Sequence, residues 1–177
     1  MKKLALFAFA SFILSTGLMG QKMTNFKTDL FSPFLRTGVL KFERALNEDM
    51  SLQLGFFYTG YSPRDTDAKL TGFGITPEFR YYLSETPAPN GTYLAPNFRY
   101  MKLTATDGIN EATLVSYGFA VNLGKQVLLK DVIVIDAWVG PSYNFRNLDD
   151  PSGEVEAGIA TVNGFGIRLG IAIGFAF

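Results

Sequence analysis

The chain has neither cysteine nor histidine among its 177 residues. The absence of cysteine excludes a disulfide and a lipid-modified cysteine anchor, and the absence of both residues excludes a His/Cys zinc site. The absence of an imidazole excludes Ser–His–acid hydrolysis, His-assisted acyl transfer and Asp–His proteolysis. We therefore expect a protein that is not an enzyme and that has no metal site and no cofactor.

An excess of charge of one sign is also absent. Lys and Arg total 16, and so do Asp and Glu. Binding to nucleic acid needs a basic face, so we expect no nucleic-acid partner. The glycine pairs Gly72–Gly74 and Gly164–Gly166 have no predicted helix after them, so they are not a dinucleotide or phosphate-binding fingerprint.

The only long apolar run lies at the N-terminus. Lys2 and Lys3 precede apolar residues 4–14, and small residues follow. This order is typical of a secretory signal peptide, and the run is too short for a confident transmembrane helix. We predict a signal peptide over 1–20 with cleavage after Gly20, and cleavage after Gly17 is the alternative because Leu18 is unfavourable at its position. Residues 21–177 then form one domain.

The last eleven residues alternate strictly between large apolar and small or charged side chains. Such a strand has one apolar face, and about ten residues are enough for a tilted strand to cross a bilayer. The alternative is a half-buried strand of a soluble sandwich. The pattern resembles the final strand of outer-membrane barrels, and that resemblance implies an insertion signal, read by the barrel insertion machinery, in Leu169, Ile171, Ile173, Phe175 and Phe177.

The rest of the chain shows the same alternation in shorter stretches separated by turn residues. No later segment approaches 18 consecutive apolar residues, which excludes helical spanning. In lipid, strands must close into a barrel to pair their backbone groups. We predict an all-β fold, a closed antiparallel eight-stranded transmembrane β-barrel, with strands over 27–36, 39–46, 50–60, 71–83, 92–103, 112–123, 131–145 and 161–177.

The connections between the predicted strands are short. With the N-terminus in the periplasm, 47–49, 84–91 and 124–130 are predicted periplasmic turns. The outer loops are then the Thr37-Gly38 turn, 61–70, 104–111 and 147–160. The last loop is acidic and is interpreted as a solvated loop, with a weak divalent-cation contact to lipopolysaccharide as the alternative. The expected surroundings are outer-membrane lipid and lipopolysaccharide.

The alternation also predicts which charged residues face the barrel interior. An eight-stranded barrel is only wide enough for its own side chains, so interior charges should pair and hydrogen-bond. The predicted network is a polar plug, and a proton or small-solute path is the alternative. Glu43 and Glu78 could in principle serve acid/base chemistry, but their spacing does not distinguish that role from structural ion pairs. The predicted interior network consists of Lys41, Glu43, Glu78, Arg80, Arg99, Asp136 and Arg168.

Two stretches carry a family resemblance: Phe-Glu-Arg-Ala-Leu at 42–46 and Thr-Pro-Glu-Phe-Arg-Tyr-Tyr-Leu at 76–83, supported by Ala-Pro-Asn-Phe-Arg-Tyr at 95–100. With them, most of the mature chain resembles the small Bacteroidota-type outer-membrane β-barrels of a family of unknown function. The resemblance implies a bacterial outer-membrane location and no assigned activity. It also implies a shared role inside the barrel for Glu43, Glu78, Arg80 and Arg99.

Two functions remain open from the sequence. The first is a structural or interaction role, as an accessory subunit with a protein partner in a larger outer-membrane complex. The second is a narrow transport or ligand-binding barrel that uses the charged lumen. The lack of large loops and of catalytic groups favours the first.

Overall fold

A computed structural model describes residues 24–62, 68–106, 110–149 and 163–177. The predicted signal peptide over 1–20 lies outside the described residues. The described chain forms a closed barrel in which every strand pairs antiparallel with its sequence neighbours and β8 pairs with β1, so the predicted fold class is confirmed. The strands are β1 (Thr24–Asp29), β2 (Thr37–Ala45), β3 (Met50–Tyr61), β4 (Lys69–Tyr82), β5 (Gly91–Thr106), β6 (Glu111–Leu129), β7 (Ile133–Asp149) and β8 (Gly164–Ala176).

The two ends of the barrel differ. At one end, here called the terminal end, the amide of Phe177 donates to the carbonyl of Thr24 at 2.9 Å. The connections 46–49, 83–90 and 130–132 lie at this same end, because antiparallel strands return to it after every second strand. The opposite end, here called the loop end, carries the connections after β1, β3, β5 and β7.

Side chains alternate between the two faces of the wall, as a strand requires. On β3, the inward Ser51 and Gln53 are buried, whereas the outward Leu52 and Leu54 are exposed. The same alternation runs along the other strands, so the outer surface is covered with exposed Leu, Ile, Val, Phe and Tyr side chains. The interior is polar both near the terminal end and near the loop end. The barrel is thus apolar outside and polar inside.

The first predicted strand is wrong in its boundaries. It was expected over 27–36, but β1 begins at Thr24 and ends at Asp29, and a short 3-10 helix, Ser32–Leu35, follows. Pro33 lies in the first turn of that helix, where its missing amide costs nothing. In the described part of the chain, no helix is long and apolar enough to span a membrane.

Two predicted turns are also wrong. Thr37 and Gly38 do not form a turn but begin β2. The turn predicted over 124–130 lies further on, because β6 continues to Leu129. Lys130 and Asp131 then take positive φ values of 52° and 56°, which matches the tight hairpin turns that suit twisted strands.

The connection 83–90 folds across the terminal end. The amide of Ala88 donates to the carbonyl of Glu48 at 2.7 Å, so this segment packs on the neighbouring turn. Gly91 ends the connection with a φ of 123°, and a Cβ there would lie 2.5 Å from the Ser84 hydroxyl oxygen, so only glycine fits. The buried Ala88 and Pro89 cover the interior at this end.

Candidate functional site

Seven large polar side chains fill the lumen near the terminal end, and each is at most 2% exposed. They come from six strands, and together they are here called the plug. A fully buried ion is costly unless it is paired and hydrogen-bonded, so the partner of each charge decides whether the plug is stable. The plug consists of Lys27, Glu43, Arg80, Tyr82, Tyr93, Gln126 and Asp136.

Asp136 on β7 lies at the centre of one half of the plug. Its Oδ2 accepts from Lys27 Nζ and from Arg80 Nη2, both at 2.9 Å. Its Oδ1 accepts from the Tyr93 hydroxyl at 2.6 Å. The carboxylate therefore has two cations and one neutral donor, which satisfies a buried anion.

Glu43 on β2 lies at the centre of the other half. Its Oε2 accepts from Lys27 Nζ at 2.7 Å and from Arg80 Nη1 at 3.4 Å. Its Oε1 accepts from the hydroxyls of Ser51 and Tyr82, each at 2.6 Å. Lys27 and Arg80 thus bridge the same two carboxylates, and two positive charges balance two negative ones.

Arg80 connects the plug to the space above it. Its Nε donates to Glu78 Oε1 at 2.7 Å, and its Nη1 donates to Gln126 Oε1 at 3.0 Å. Its guanidinium also lies 4.1 Å from the centre of the Tyr93 ring, within the range of a cation–π contact. Together with the bonds to Glu43 and Asp136, each of the three guanidinium nitrogens therefore donates at least one hydrogen bond inside the protein.

Small residues on the inward faces make room for the plug. On β8 the inward positions at the plug are Ala172, Gly174 and Ala176. On β6 a Cβ at Gly124 would lie 2.4 Å from the Tyr93 hydroxyl oxygen, so the ring lies directly over this glycine. The plug thus replaces the packed apolar core that a soluble barrel of this width would have.

A pocket of about 240 Å³ occupies the interior on the loop-end side of the plug. Arg80 and Glu78 form part of its wall, so the pocket begins where the plug ends. Four cations and two carboxylates line it, and Trp138 lines it as well. The charged lining residues are Lys41, Arg80, Arg99, Arg168, Asp29 and Glu78.

Two of these cations are held by partners of opposite charge or by an aromatic ring. Arg80 pairs within the plug as described, and Lys41 Nζ lies 2.7 Å from Asp29 Oδ1. Lys41 Nζ also lies 3.5 Å from the centre of the Trp138 ring. Trp138 in turn packs over Gly170, where a Cβ would lie 2.3 Å from the ring.

The other two cations, Arg99 and Arg168, have only neutral hydrogen-bond partners. Arg168 reaches across the lumen from β8, and its Nη1 donates to Asn97 Oδ1 on β5 at 3.1 Å. Its Nη2 donates to Asn144 Oδ1 at 2.7 Å. Arg99 Nε donates to the Thr76 hydroxyl at 3.3 Å. Among the described residues, neither guanidinium forms an ion pair.

Two buried amides complete the pocket wall next to the plug. Gln53 Nε2 donates to Glu78 Oε1 at 3.0 Å, and Asn122 Nδ2 donates to Glu78 Oε2 at 3.3 Å. Both side chains therefore turn their amide groups to the carboxylate. Their oxygens, Gln53 Oε1 and Asn122 Oδ1, are buried and have no hydrogen-bond partner among the residues that the structure describes.

The structure places all seven predicted interior residues inside the barrel but divides them between two groups. Glu43, Arg80 and Asp136 belong to the plug, whereas the other four line the pocket: Lys41, Glu78, Arg99 and Arg168. The predicted insertion-signal residues Leu169, Ile171, Ile173, Phe175 and Phe177 all point outward. Within the described residues, no cluster of His, Cys, Asp or Glu could hold a metal ion.

The predicted interior network lacks four members of the plug, and one of them, Tyr82, shares the inward face of β4 with Glu78 and Arg80. Lys27 is the first residue of the predicted strand 27–36 but not a member of the predicted network, and Gln126 lies in the predicted turn 124–130. Tyr93 was not singled out, although it lies two residues before the inward Ala95 on β5. On β6, small or polar residues alternate with large residues from Ser116 to Gln126, and this is the signal that could have found Gln126.

The fold and its interior define this chain as a small closed eight-stranded β-barrel with an apolar outer surface and a charged lumen. The family described as "Protein of unknown function (DUF3575)" matches residues 5–152, and the chain belongs to it. This agrees with the resemblance to a family of unknown function, and the bacterial group named in that resemblance stays a prediction.

No curated protein matches the chain. Among solved structures, the chain is similar to the crystal structure of Ail, the attachment invasion locus protein of Yersinia pestis, with 15% identity and a TM-score of 0.43. The match covers 87% of this chain and 95% of that chain.

Proposed function

We propose that this protein is an integral barrel of the bacterial outer membrane with a sealed lumen and a structural or interaction role. The observation that carries the proposal is the combination of an apolar outer wall with a plug whose side chains are at most 2% exposed. A soluble barrel of this kind would expose its apolar side chains to water and bury its charges, which is unfavourable on both counts.

The apolar wall supports the membrane location. Exposed large apolar residues occur on all eight strands, and they include Phe26, Leu40, Phe56 and Ile75. In lipid this surface has no cost, and a closed antiparallel barrel is one of two ways to pair every backbone group there. The predicted signal peptide and the outward C-terminal residues support entry through the outer-membrane pathway and insertion machinery.

The plug argues against transport through the whole lumen. Arg80 is the largest fully buried side chain and binds three carboxylates: Glu43, Glu78 and Asp136. Moving it aside would leave buried charges unpaired, at a cost of several kcal/mol. The absence of histidine and cysteine from the sequence also supports a role without catalysis.

If the role is structural and the lumen is sealed, other molecules contact the outer wall or the two ends of the barrel. Outer-membrane lipid and lipopolysaccharide surround such a wall, and an accessory subunit would offer part of it to a larger complex. Purification from native outer membranes in mild detergent tests this. A stoichiometric protein partner is the expected result, and a lone barrel in every preparation would contradict the subunit role.

Conductance across a planar bilayer tests the sealed lumen. We expect no conductance steps from the wild-type barrel. Arg80→Ala is the matched positive control, because it removes the largest buried side chain of the plug and should open a water path. Folding of both proteins is checked by the shift in gel mobility on heating. Regular conductance steps from the wild-type protein would contradict the sealed barrel and support the transport alternative.

A further inference from the structure

The wall of the barrel has a gap in its backbone pairing at the loop end. β1 is only six residues long, and its ladder with β8 covers residues 25–29 and 172–176. One more bond, from the amide of Leu30 to the carbonyl of Ile171 at 2.9 Å, ends this pairing. In the described part of the chain, 164–170 of β8 therefore has a backbone partner only on its β7 side. This stretch is here called the seam.

Side-chain exposure follows the seam. The outward Ile171 and Ile173, where β1 pairs with β8, are 36% and 39% exposed, whereas Leu169, Ile167 and Phe165 are 72%, 76% and 88% exposed. The inward residues change in the same way, from buried at Ala172 to half-buried at Arg168. Arg168 therefore lies in a part of the wall where β8 has a paired strand on one side only.

The pocket behind the seam carries a net positive charge of one, because Lys41 balances Asp29, Arg80 is balanced within the plug, and Glu78 offsets only one of the two charges of Arg99 and Arg168. Glu78 is already bonded to Arg80, Gln53 and Asn122, and Asp29 is bonded to Lys41. Arg99 and Arg168 keep only neutral partners among the described residues. Guanidinium groups bind carboxylate and phosphate oxygens through several N–H donors, and a site poor in water strengthens that attraction.

The pocket also offers two acceptors that lack a donor. Within the described part of the chain, Gln53 Oε1 and Asn122 Oδ1 are buried and have no hydrogen-bond partner, and both residues line the pocket. An unmade hydrogen bond at a buried acceptor is costly, so a ligand that brings hydroxyl donors would gain there. The site thus offers charged guanidinium donors that can bind an anion and amide oxygens that can accept hydrogen bonds from hydroxyl groups.

We propose that the pocket binds a hydroxyl-bearing phosphate ester, with its phosphate between Arg99 and Arg168 and its hydroxyl groups toward Gln53 and Asn122. Such a ligand exists as a free phosphate ester and as a lipid headgroup, and a lipid would enter through the seam with its chains on the apolar outer wall. The lipid route rests on the proposed outer-membrane location, whereas the phosphate site does not.

Fluorescence of Trp138, the single tryptophan of the chain, measures binding because this residue lines the pocket. The barrel in an uncharged detergent is titrated with glycerol phosphate and, separately, with micelles that contain phosphatidylglycerol or phosphatidylcholine. Arg99→Gln and Arg168→Gln should each weaken binding by about tenfold or more, since each removes a charged donor. Lys102→Gln is the matched control, because it removes one positive charge from the exposed outer face of β5.

Glycerol phosphate and phosphatidylglycerol are the two probes that distinguish the source of the ligand, and phosphatidylcholine, whose headgroup carries no hydroxyl group, is the control lipid. Binding of glycerol phosphate supports the phosphate site, and binding of phosphatidylglycerol alone supports the site with entry through the seam. Absence of binding by both probes, or binding that both arginine variants leave unchanged, overturns the proposal. Reconstitution of the same preparation into vesicles separates the two claims. A barrel that inserts but binds neither probe contradicts only this inference, and one that fails to insert contradicts the outer-membrane proposal.

Discussion

At the residue scale, the interior is organised by exact pairing of a few buried charges rather than by apolar packing. Lys27 and Arg80 each bind both Glu43 and Asp136, so removing one member affects every other. A buried ion pair contributes little compared with an apolar replacement, but breaking one leaves an uncompensated charge. The consequence is that single substitutions in the plug are more harmful than their net contribution to stability suggests.

Asp136→Asn should therefore destabilise the barrel strongly. The change leaves Lys27 and Arg80 with one carboxylate fewer, and we expect a loss of about 3–5 kcal/mol in the free energy of unfolding. Urea unfolding in detergent or vesicles measures it. Asp131→Asn in the exposed turn is the matched control and should change stability by less than about 0.5 kcal/mol. Equal effects of the two changes would contradict the ion-pair account.

The contact between Gly170 and Trp138 gives a second prediction at this scale. Gly170→Ala places a Cβ 2.3 Å from the ring, so the indole must move away from position 170 and its contact with Lys41 changes. We expect a shift of the tryptophan emission and a cost of about 1–3 kcal/mol from overpacking. Gly164→Ala on the same strand meets no atom within 4 Å and serves as the control. Identical emission spectra for Gly170→Ala and the wild type would contradict this packing.

At the element scale, β8 differs along its length. Residues 172–175 pair with both β7 and β1, whereas 164–170 pair only with β7 among the described residues. Backbone amides of a strand point alternately to its two neighbours. Every second amide between Gly164 and Gly170 therefore points toward the seam.

Hydrogen exchange measures this difference directly. In micelles we expect fast exchange at alternate amides of 164–170 and slow exchange throughout 172–175, since the second group is hydrogen-bonded on both sides. β6 provides an internal reference, because it pairs with β5 and β7 over most of its length. Uniform protection along the whole of β8 would show that the seam is covered.

The sequence predicted those elements whose alternation is unbroken. On β4, apolar residues at Phe73, Ile75 and Phe79 alternate with Glu78 and Arg80 on the other face, and the interior position of the two charges followed from this pattern alone. The extended β6 was cut short because Gly124 reads as a turn residue, although it provides space for Tyr93. Local composition does not distinguish a glycine that turns the chain from one that accommodates a ring.

The seam and the division into plug and pocket were beyond sequence reasoning for a different reason. Both depend on where β1 ends, and the nearly continuous apolar run from Leu30 to Phe34 conceals that end. Lys27 joins the plug only because β1 pairs with β2 and β8 in one particular register. A shift by one residue would turn Lys27 outward, so a tertiary property decides its role.

At the scale of the whole molecule, the distribution of apolar and charged residues is reversed relative to a soluble protein. The apolar surface covers the outside and the charges fill the inside. A barrel in lipid should therefore respond to an added charge according to its depth in the bilayer. This dependence distinguishes a membrane barrel from a soluble one.

Val121→Arg and Leu129→Arg provide the test on one strand. Val121 points outward near the middle of β6, and Leu129 ends β6 at the terminal end. In lipid vesicles, we expect the first change to cost about 2–4 kcal/mol and the second about 0–1 kcal/mol in the free energy of unfolding. A soluble barrel would tolerate both, so equal and small costs would contradict the membrane location.

The small inward residues of β8 also bear on the order in which the barrel assembles. Every charged or aromatic member of the plug precedes β8 in the chain, and Lys27 already reaches Asp136 on β7, 109 residues later. The ion pairs therefore connect β1 to β7, the two neighbours of β8, and no side chain of β8 takes part in them. Ala172, Gly174 and Ala176 leave the plug-facing part of the last strand without a charge, so closure between β7 and β1 at the terminal end need not wait for the charged network.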